Sequence, residues 1–288
     1  MHQRRNCAKR SKLIHKTGIC NEMNTPKRNN LAIELEDKYD SPFTGQAGMK
    51  YVVYSQQRTG SNLLCGEMIN AGLYGVPGEY FHKMVIDRFT KRLREQGGHD
   101  ASSKLNFKQY EDWLVSLRTT PNGVFGTKAQ PYQIQGITGQ DAKSQLQFLS
   151  RFDKVIFLSR RNKLKQAVSG AIGAFTKQWR NDGTEPELPN VPDAQLVETI
   201  SRFLHRYLRE ELEMRHLLGH LKRPWVEIVY EDYVANKDHT LSEMGTFLGV
   251  PYEGNKFDRV ELPEKPPGHT AQRLNELFRA TVLGEKAA

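Results

Sequence analysis

The chain is poor in cysteine, in long apolar runs and in the ligand spacings that hold metals. Its three cysteines are Cys7, Cys20 and Cys65. They make no disulfide framework, and such sparse usage suits a reducing compartment. Cys7, His15 and Cys20 lack the spacing of a zinc site, and no metal is expected. No run of 18 apolar residues occurs, so no hydrophobic membrane span is expected. The N-terminus has none of the apolar core that a secretory signal needs. Together these absences make a cytoplasmic location the expectation. Acids are scarce at one end only. Residues 1–30 hold eight Lys/Arg and a single acid, Glu22, so most of the net charge of +9 belongs to that tail. A nucleic-acid-binding domain would carry its basic stripe on folded elements, so no nucleic-acid partner is expected.

The 288 residues are enough for one α/β domain with an appendage and a sizeable core. Residues 1–48 lack periodicity and are rich in Lys, Arg, Asn and Pro. They read as a disordered extension, with Leu31 to Leu35 a short helical or strand piece. An organelle transit peptide, or sequence upstream of the true start, are the other readings. Met23 and Met49 are candidate starts. The folded domain is expected over residues 49–288.

The most informative stretch is Tyr51 to Ala71, YVVYSQQRTGSNLLCGEMINA. Tyr51-Val52-Val53-Tyr54 reads as a buried strand. A polar turn follows, Ser55 to Ser61, and then Leu64, Met68 and Ala71 recur with the rhythm of one helix face. A strand, a tight turn and a helix N-terminus aim unpaired backbone N–H groups at one point, which suits an anion. Arg58 adds a permanent charge with a planar donor fork, and Gly60 lets the backbone approach closely. A Walker A loop is excluded, because Arg58 precedes Gly60 and no Lys-Ser/Thr follows it. An ordinary strand-to-helix turn with an exposed arginine is the bland alternative.

Further along, Gly72 to His82 is a Gly/Pro loop ending in Glu79-Tyr80-Phe81-His82. Either Glu79 or His82 could serve as a base by chemistry alone. Residues 84–118 read as polar helices broken at Gly97-Gly98. Thr120 to Lys128, TPNGVFGTK, is a turn leading into a short strand with Lys128 near its end. Val155 to Leu158 reads as a central parallel strand, followed by Ser159-Arg160-Arg161-Asn162 and a helix. Arg161 and Ser169 stand eight apart across that junction. Both this loop and the Ser55–Ser61 turn fall at the carboxyl ends of parallel strands, where open α/β sheets place ligands. Asp182 to Pro192 reads as a loop covering the acceptor. A long helix is expected from Ala194 to Leu218, then a strand from Trp225 to Tyr230. Glu231 and Asp232 are read as acids that cap and orient the helix after it. Met244 to Pro251 closes a further helix.

These motifs, in this order, resemble the sulfotransferases, and specifically the bacterial trehalose sulfotransferase family. Ser55 to Leu64 resembles its SQRSGSTLL loop, Glu79-Tyr80-Phe81 its Glu-Phe-Phe, TPNGVFGTK its TPNGVWGGK, and Arg161 to Ser169 its R-x-x-x-x-Q-A-V-S. The resemblance spans about Met49 to Ala280. Near Gly268, His269, Thr270 and Arg273 the chain departs from the family pattern. The fold it implies is an open, mostly parallel sheet flanked by helices, of the P-loop-kinase-like sulfotransferase kind. The reaction it implies moves a sulfuryl group from 3′-phosphoadenosine-5′-phosphosulfate (PAPS) to a hydroxyl, with no metal. It puts Gln57, Arg58, Thr59, Gly60, Ser61 and Asn62 around the 5′-phosphosulfate, and Arg161 and Ser169 on the 3′-phosphate. It makes Glu79 the catalytic base and brings Lys128 to the transferred group. A small-molecule hydroxyl, of a sugar or glycolipid precursor, would be the acceptor, with Trp179 and Tyr80 either stacking on it or lying in the core. A homodimer is left open. The alternatives are a P-loop-like kinase using ATP and a catalytically silent nucleotide-binding or scaffolding protein.

Overall fold

Four short runs rich in Val, Ile, Tyr and Phe form strands, and all four lie parallel in one sheet. The computed structural model describes residues 32–41, 43, 45–95 and 106–285. Its elements are α1 (Ala32–Leu35), β1 (Met49–Ser55), α2 (Ser61–Ala71), α3 (Lys83–Glu95), α4 (Phe107–Arg118), β2 (Val124–Ala129), α5 (Pro131–Thr138), α6 (Ala142–Leu149), β3 (Lys154–Ser159), α7 (Lys163–Thr176), α8 (Asp193–His220), β4 (Trp225–Val229), α9 (Tyr230–Ala235), α10 (Lys237–Leu248) and α11 (His269–Phe278). The break expected at Gly97-Gly98 lies outside the described residues.

The strand order is β2-β1-β3-β4. Val52 pairs with Thr127 on one side and Val155 on the other, and Ile156 pairs with Val226. Side chains alternate across the pleat, and both faces are covered, so the strands read as continuous apolar runs. Val52, Tyr54, Val155 and Phe157 face a core built with Phe81, Phe89, Phe148 and Met214. Tyr51, Val53, Ile156 and Leu158 face a second core with Leu64, Met68, Met244 and Leu248. A third cluster joins α7, α8 and α11. The sheet flanked by helices is the architecture the sequence implies. Among the described residues, no helix is long and apolar enough to cross a membrane.

The chain leaves β1 toward β2 on one side, and β3 leads to β4 on the other. Connections that diverge in this way open a crevice at the carboxyl ends of β1 and β3. The two motif-bearing loops meet there.

The extension expected over residues 1–48 lies partly outside the described residues, but residues 32–41 are not loose. Of Leu31 to Leu35, read as a helical or strand piece, Ala32–Leu35 form the short helix α1 and Leu31 lies outside the described residues. Arg118, fully buried, donates to the carbonyls of Ile33 (3.1 Å), Glu34 (3.2 Å) and Glu36 (3.3 Å). It also pairs with Asp40 at 3.1 Å. One guanidinium thus satisfies three carbonyls and a carboxylate, which is why a segment with little apolar surface stays packed. Arg118→Met is expected to destabilise the protein by about 3 kcal/mol, because those acceptors lose a buried charged donor. Urea unfolding followed by circular dichroism checks this. A change within about 0.5 kcal/mol would mean that the clamp does not hold in solution.

Candidate active site

The turn after β1 is built from two residues with positive φ. Arg58 has φ 63° and Gly60 φ 88°. A Cβ on Gly60 would lie 2.3 Å from the Tyr230 ring, so only glycine fits. Thr59 Oγ1 donates to the Gln56 carbonyl at 2.9 Å, and α2 starts at Ser61. The loop is pinned from outside as well. Gln166 Nε2 donates to the Gln57 carbonyl (2.9 Å), and Gln56 Nε2 donates to the Tyr207 carbonyl (2.7 Å). The first N–H groups of α2 therefore face the crevice from a fixed frame.

Arg58 reaches across the crevice. Its Nε donates to Ser169 Oγ at 2.8 Å, and its Nη1 donates to the Trp179 carbonyl. Arg160 reaches back, with Nη1 on the Arg58 carbonyl at 2.9 Å and its guanidinium 4.9 Å from the Tyr230 ring centre. Burial pulls the proton affinity of both guanidiniums down, and for Arg58 the charge of Arg160 adds to this. Arg160 Nε and the Tyr207 hydroxyl are buried without hydrogen-bond partners among the described residues. Donors left unmatched beside a cation pair fit an anionic ligand.

The structure thus brings Arg58, Gly60, Ser61 and Ser169 together. Arg161 lies elsewhere. Its side chain is 63% exposed and pairs with Asp232 at 2.7 Å. Asn162 caps α7, accepting from the Lys165 N–H. The acids after β4 differ from expectation. Glu231 accepts from the N–H groups of Arg161 (2.8 Å) and Asn162 (3.0 Å), so it holds the β3–α7 loop rather than capping the helix after it. The reason is that α9 already begins at Tyr230, which places Glu231 inside its first turn.

Glu79 sits on the other wall of the site. The Gly75–Glu79 loop runs against β2. Lys128 N–H (2.8 Å) and Thr127 Oγ1 (3.1 Å) both donate to the Gly78 carbonyl. The Glu79 carboxylate then accepts from Lys128 Nζ (2.9 Å), Gln133 Nε2 (2.7 Å) and Gln130 Nε2 (3.4 Å). Burial alone would raise its pKa. The charge and hydrogen bond of Lys128, with Arg180 and Gln133, outweigh burial and hold the carboxyl below its usual value. Glu79 is therefore ionised near neutral pH. Lys128, 2% exposed, also donates to Asn62 Oδ1 in the first turn of α2. The His82 ring lies edge-on to that of Tyr132 at 6.1 Å, and its Nδ1 accepts from the Met84 N–H at 3.3 Å. Tyr80 is fully buried and donates to the Val76 carbonyl, which makes it a core residue rather than a stacking platform.

Residues 50–259 match the Stf0 sulphotransferase family model. The chain belongs to the Stf0 sulphotransferase family. This is the trehalose sulfotransferase family that the motifs resemble. No curated protein matches the chain. Among solved structures it is similar to a sulfotransferase from Alicyclobacillus acidocaldarius (12% identity, 83% of this chain and 96% of that one, TM-score 0.47). It is also similar to the sulfotransferase domain of the curacin biosynthetic pathway (14%, 85% and 100%, TM-score 0.41). A third is the sulfotransferase domain of the Synechococcus PCC 7002 olefin synthase (19%, 86% and 94%, TM-score 0.35).

Several residues around this Stf0 site escape a motif-based reading. Arg160 was overshadowed by its neighbour Arg161, and only the alternation of side chains leaving β3 separates them. Gln130 and Gln133 cap the start of α5 while holding Glu79, and a glutamine in a helix start carries no functional signal. Tyr207 lies on α8, far along the chain, as one apolar-face residue among many. The loop expected as a cover, Asp182 to Pro192, is tied to the last helix: Glu185 accepts from the Gly268 and Thr270 N–H groups, both at 2.8 Å.

Proposed function

We propose that this protein transfers a sulfuryl group from PAPS to a hydroxyl of a small acceptor, a sugar or a glycolipid precursor, in a cytoplasmic setting. The observation that carries the reading is Lys128. Its ammonium contacts Glu79 on the acceptor side and Asn62 of the anion loop on the donor side. A cation shared by the base and the phosphosulfate loop marks where the transferred group would pass.

In this reading the acceptor oxygen attacks sulfur, forming an O–S bond as the bond to the 5′-phosphate oxygen breaks. The acceptor proton goes to Glu79, and the bridging electron pair stays on 3′-phosphoadenosine-5′-phosphate. Such a step needs alignment and charge stabilisation more than covalent help. Gln57 to Asn62 would cradle the leaving phosphate through N–H groups and the Arg58 guanidinium. Ser169 would meet the 3′-phosphate, with Arg58 and Arg160 beside it. Arg161 would join them only by leaving Asp232. Lys128 would balance negative charge on the group in flight.

Titration calorimetry with 3′-phosphoadenosine-5′-phosphate, against adenosine 5′-monophosphate and ATP and without magnesium, tests the donor assignment. Binding that depends on the 3′-phosphate is expected. Preference for ATP with magnesium, or no binding, would overturn it and bring a kinase reading forward.

A further inference from the structure

Ahead of the family-matched residues 50–259 lies a carboxylate that enters the site. Glu34 of α1 is 1% exposed. Its Oε1 accepts from the backbone N–H of Glu79 at 2.8 Å, and its Oε2 meets Arg180 Nη2 at 3.4 Å. The same side chain packs on Gly78, where an added Cβ would sit 3.1 Å from Glu34 Cγ. The Arg118 clamp holds the backbone carrying it. A buried carboxylate is costly unless matched, and this one is matched by one peptide N–H and one guanidinium, both belonging to the site.

Two consequences follow from that geometry. The Glu79 peptide N–H is held by Glu34 while its carboxylate is held by Lys128, so both ends of the residue are tied. Arg180, which also acts on Glu79, has its charge balanced by Glu34. We propose that Glu34, supplied by the segment in front of the family core, is a positioning residue that orients Glu79 and sets the charge around it. The groups that face Glu79 are Lys128 from β2, Arg180 after α7, Tyr132 from α5, Cys65 from α2 and Glu34 itself. Of these, Glu34 alone is a second carboxylate. The inference rests on Glu79 being the base only for its effect on turnover, and its effect on the loop stands apart.

The test uses Glu34→Ala and Glu34→Gln in the full chain. Two readouts apply: hydrogen exchange of the peptide containing the Glu79 amide, and release of 3′-phosphoadenosine-5′-phosphate from PAPS with trehalose as the probe acceptor. Glu34→Ala is expected to speed exchange at Glu79 and lower turnover by ~10–100-fold through misplacement, with affinity for 3′-phosphoadenosine-5′-phosphate unchanged. Glu34→Gln keeps an acceptor oxygen for the N–H, so exchange stays slow. It leaves Arg180 unbalanced, so the acid limb of the pH–rate profile moves to lower pH. Wild-type exchange in Glu34→Ala would overturn the orienting role even if turnover fell. Faster exchange with wild-type turnover would overturn its importance for the reaction. An unmoved acid limb in Glu34→Gln would overturn the charge role. If Glu79→Gln keeps full activity, the base assignment fails, while the exchange result still decides whether Glu34 holds the loop. Should Glu34→Ala fail to fold, Arg180→Met decides the charge role: with Arg180 removed, the acid limb moves to higher pH, and an unmoved limb overturns it.

Discussion

Arg58→Ala is expected to lower sulfuryl transfer by ~10²–10³-fold, the loss seen when a donor to developing negative charge is removed. Charge builds on the bridging oxygen as the S–O bond breaks, and Arg58 stands in the loop that would hold that phosphate. Its guanidinium is held in the free chain by Ser169 and by the Trp179 carbonyl. Because Nε also touches Ser169, part of the loss will appear as weaker donor binding. The distinguishing result is the excess: single-turnover rates should fall by far more than calorimetric affinity for 3′-phosphoadenosine-5′-phosphate. Equal losses in both would assign Arg58 to ground-state binding alone. Arg58→Lys, which keeps charge but loses the fork, should lie between.

Glu79→Gln should abolish most transfer, by ~10²–10⁴-fold, the usual worth of a positioned base, while leaving donor affinity intact. The glutamine is the same size and can keep contact with Lys128, but it cannot take the acceptor proton. The pH dependence has a defined sign. The folded carboxyl lies below its usual value, so activity is full above the ordinary carboxylate range and is lost only as pH falls through that depressed folded value. The stability that the Lys128 pair adds follows the same course, being present above the unfolded pKa and lost on acidification. Full activity in Glu79→Gln would pass the base role to His82 or dispense with one. In the free chain the Nδ1 of His82 is occupied by the Met84 N–H.

What could be read without a structure follows the range of the forces involved. β1, its turn and α2 were legible because strand pattern, glycine and helix rhythm are local. The Gly72 helix end was legible for the same reason, and it carries φ 80°. The Arg161–Ser169 spacing pointed to the β3–α7 junction. It could not say which of two adjacent arginines turns inward, since that depends on Glu231 and Asp232 arriving from helix α9 about 70 residues later. Glu34 was invisible for a different reason. It sits in a stretch with no periodicity, and its place comes from contacts with distant residues, Arg118 and Arg92 on its acids and carbonyls and Ile69 and Val76 around Tyr39.

The meeting of Arg58 and Arg160 bears on how the protein lives between reactions. Two guanidiniums share one buried crevice, and the charge of Arg160 makes that of Arg58 harder to keep. In the free chain Glu231 Oε1, 3.9 Å from Arg160 Nε, offsets part of this charge, and a bound anion would offset more. Occupancy therefore contributes to folding, since whatever binds the native state and not the unfolded one stabilises it by mass action. If the proposed nucleotide donor is that anion, its concentration would bear on the protein's stability as well as on its rate.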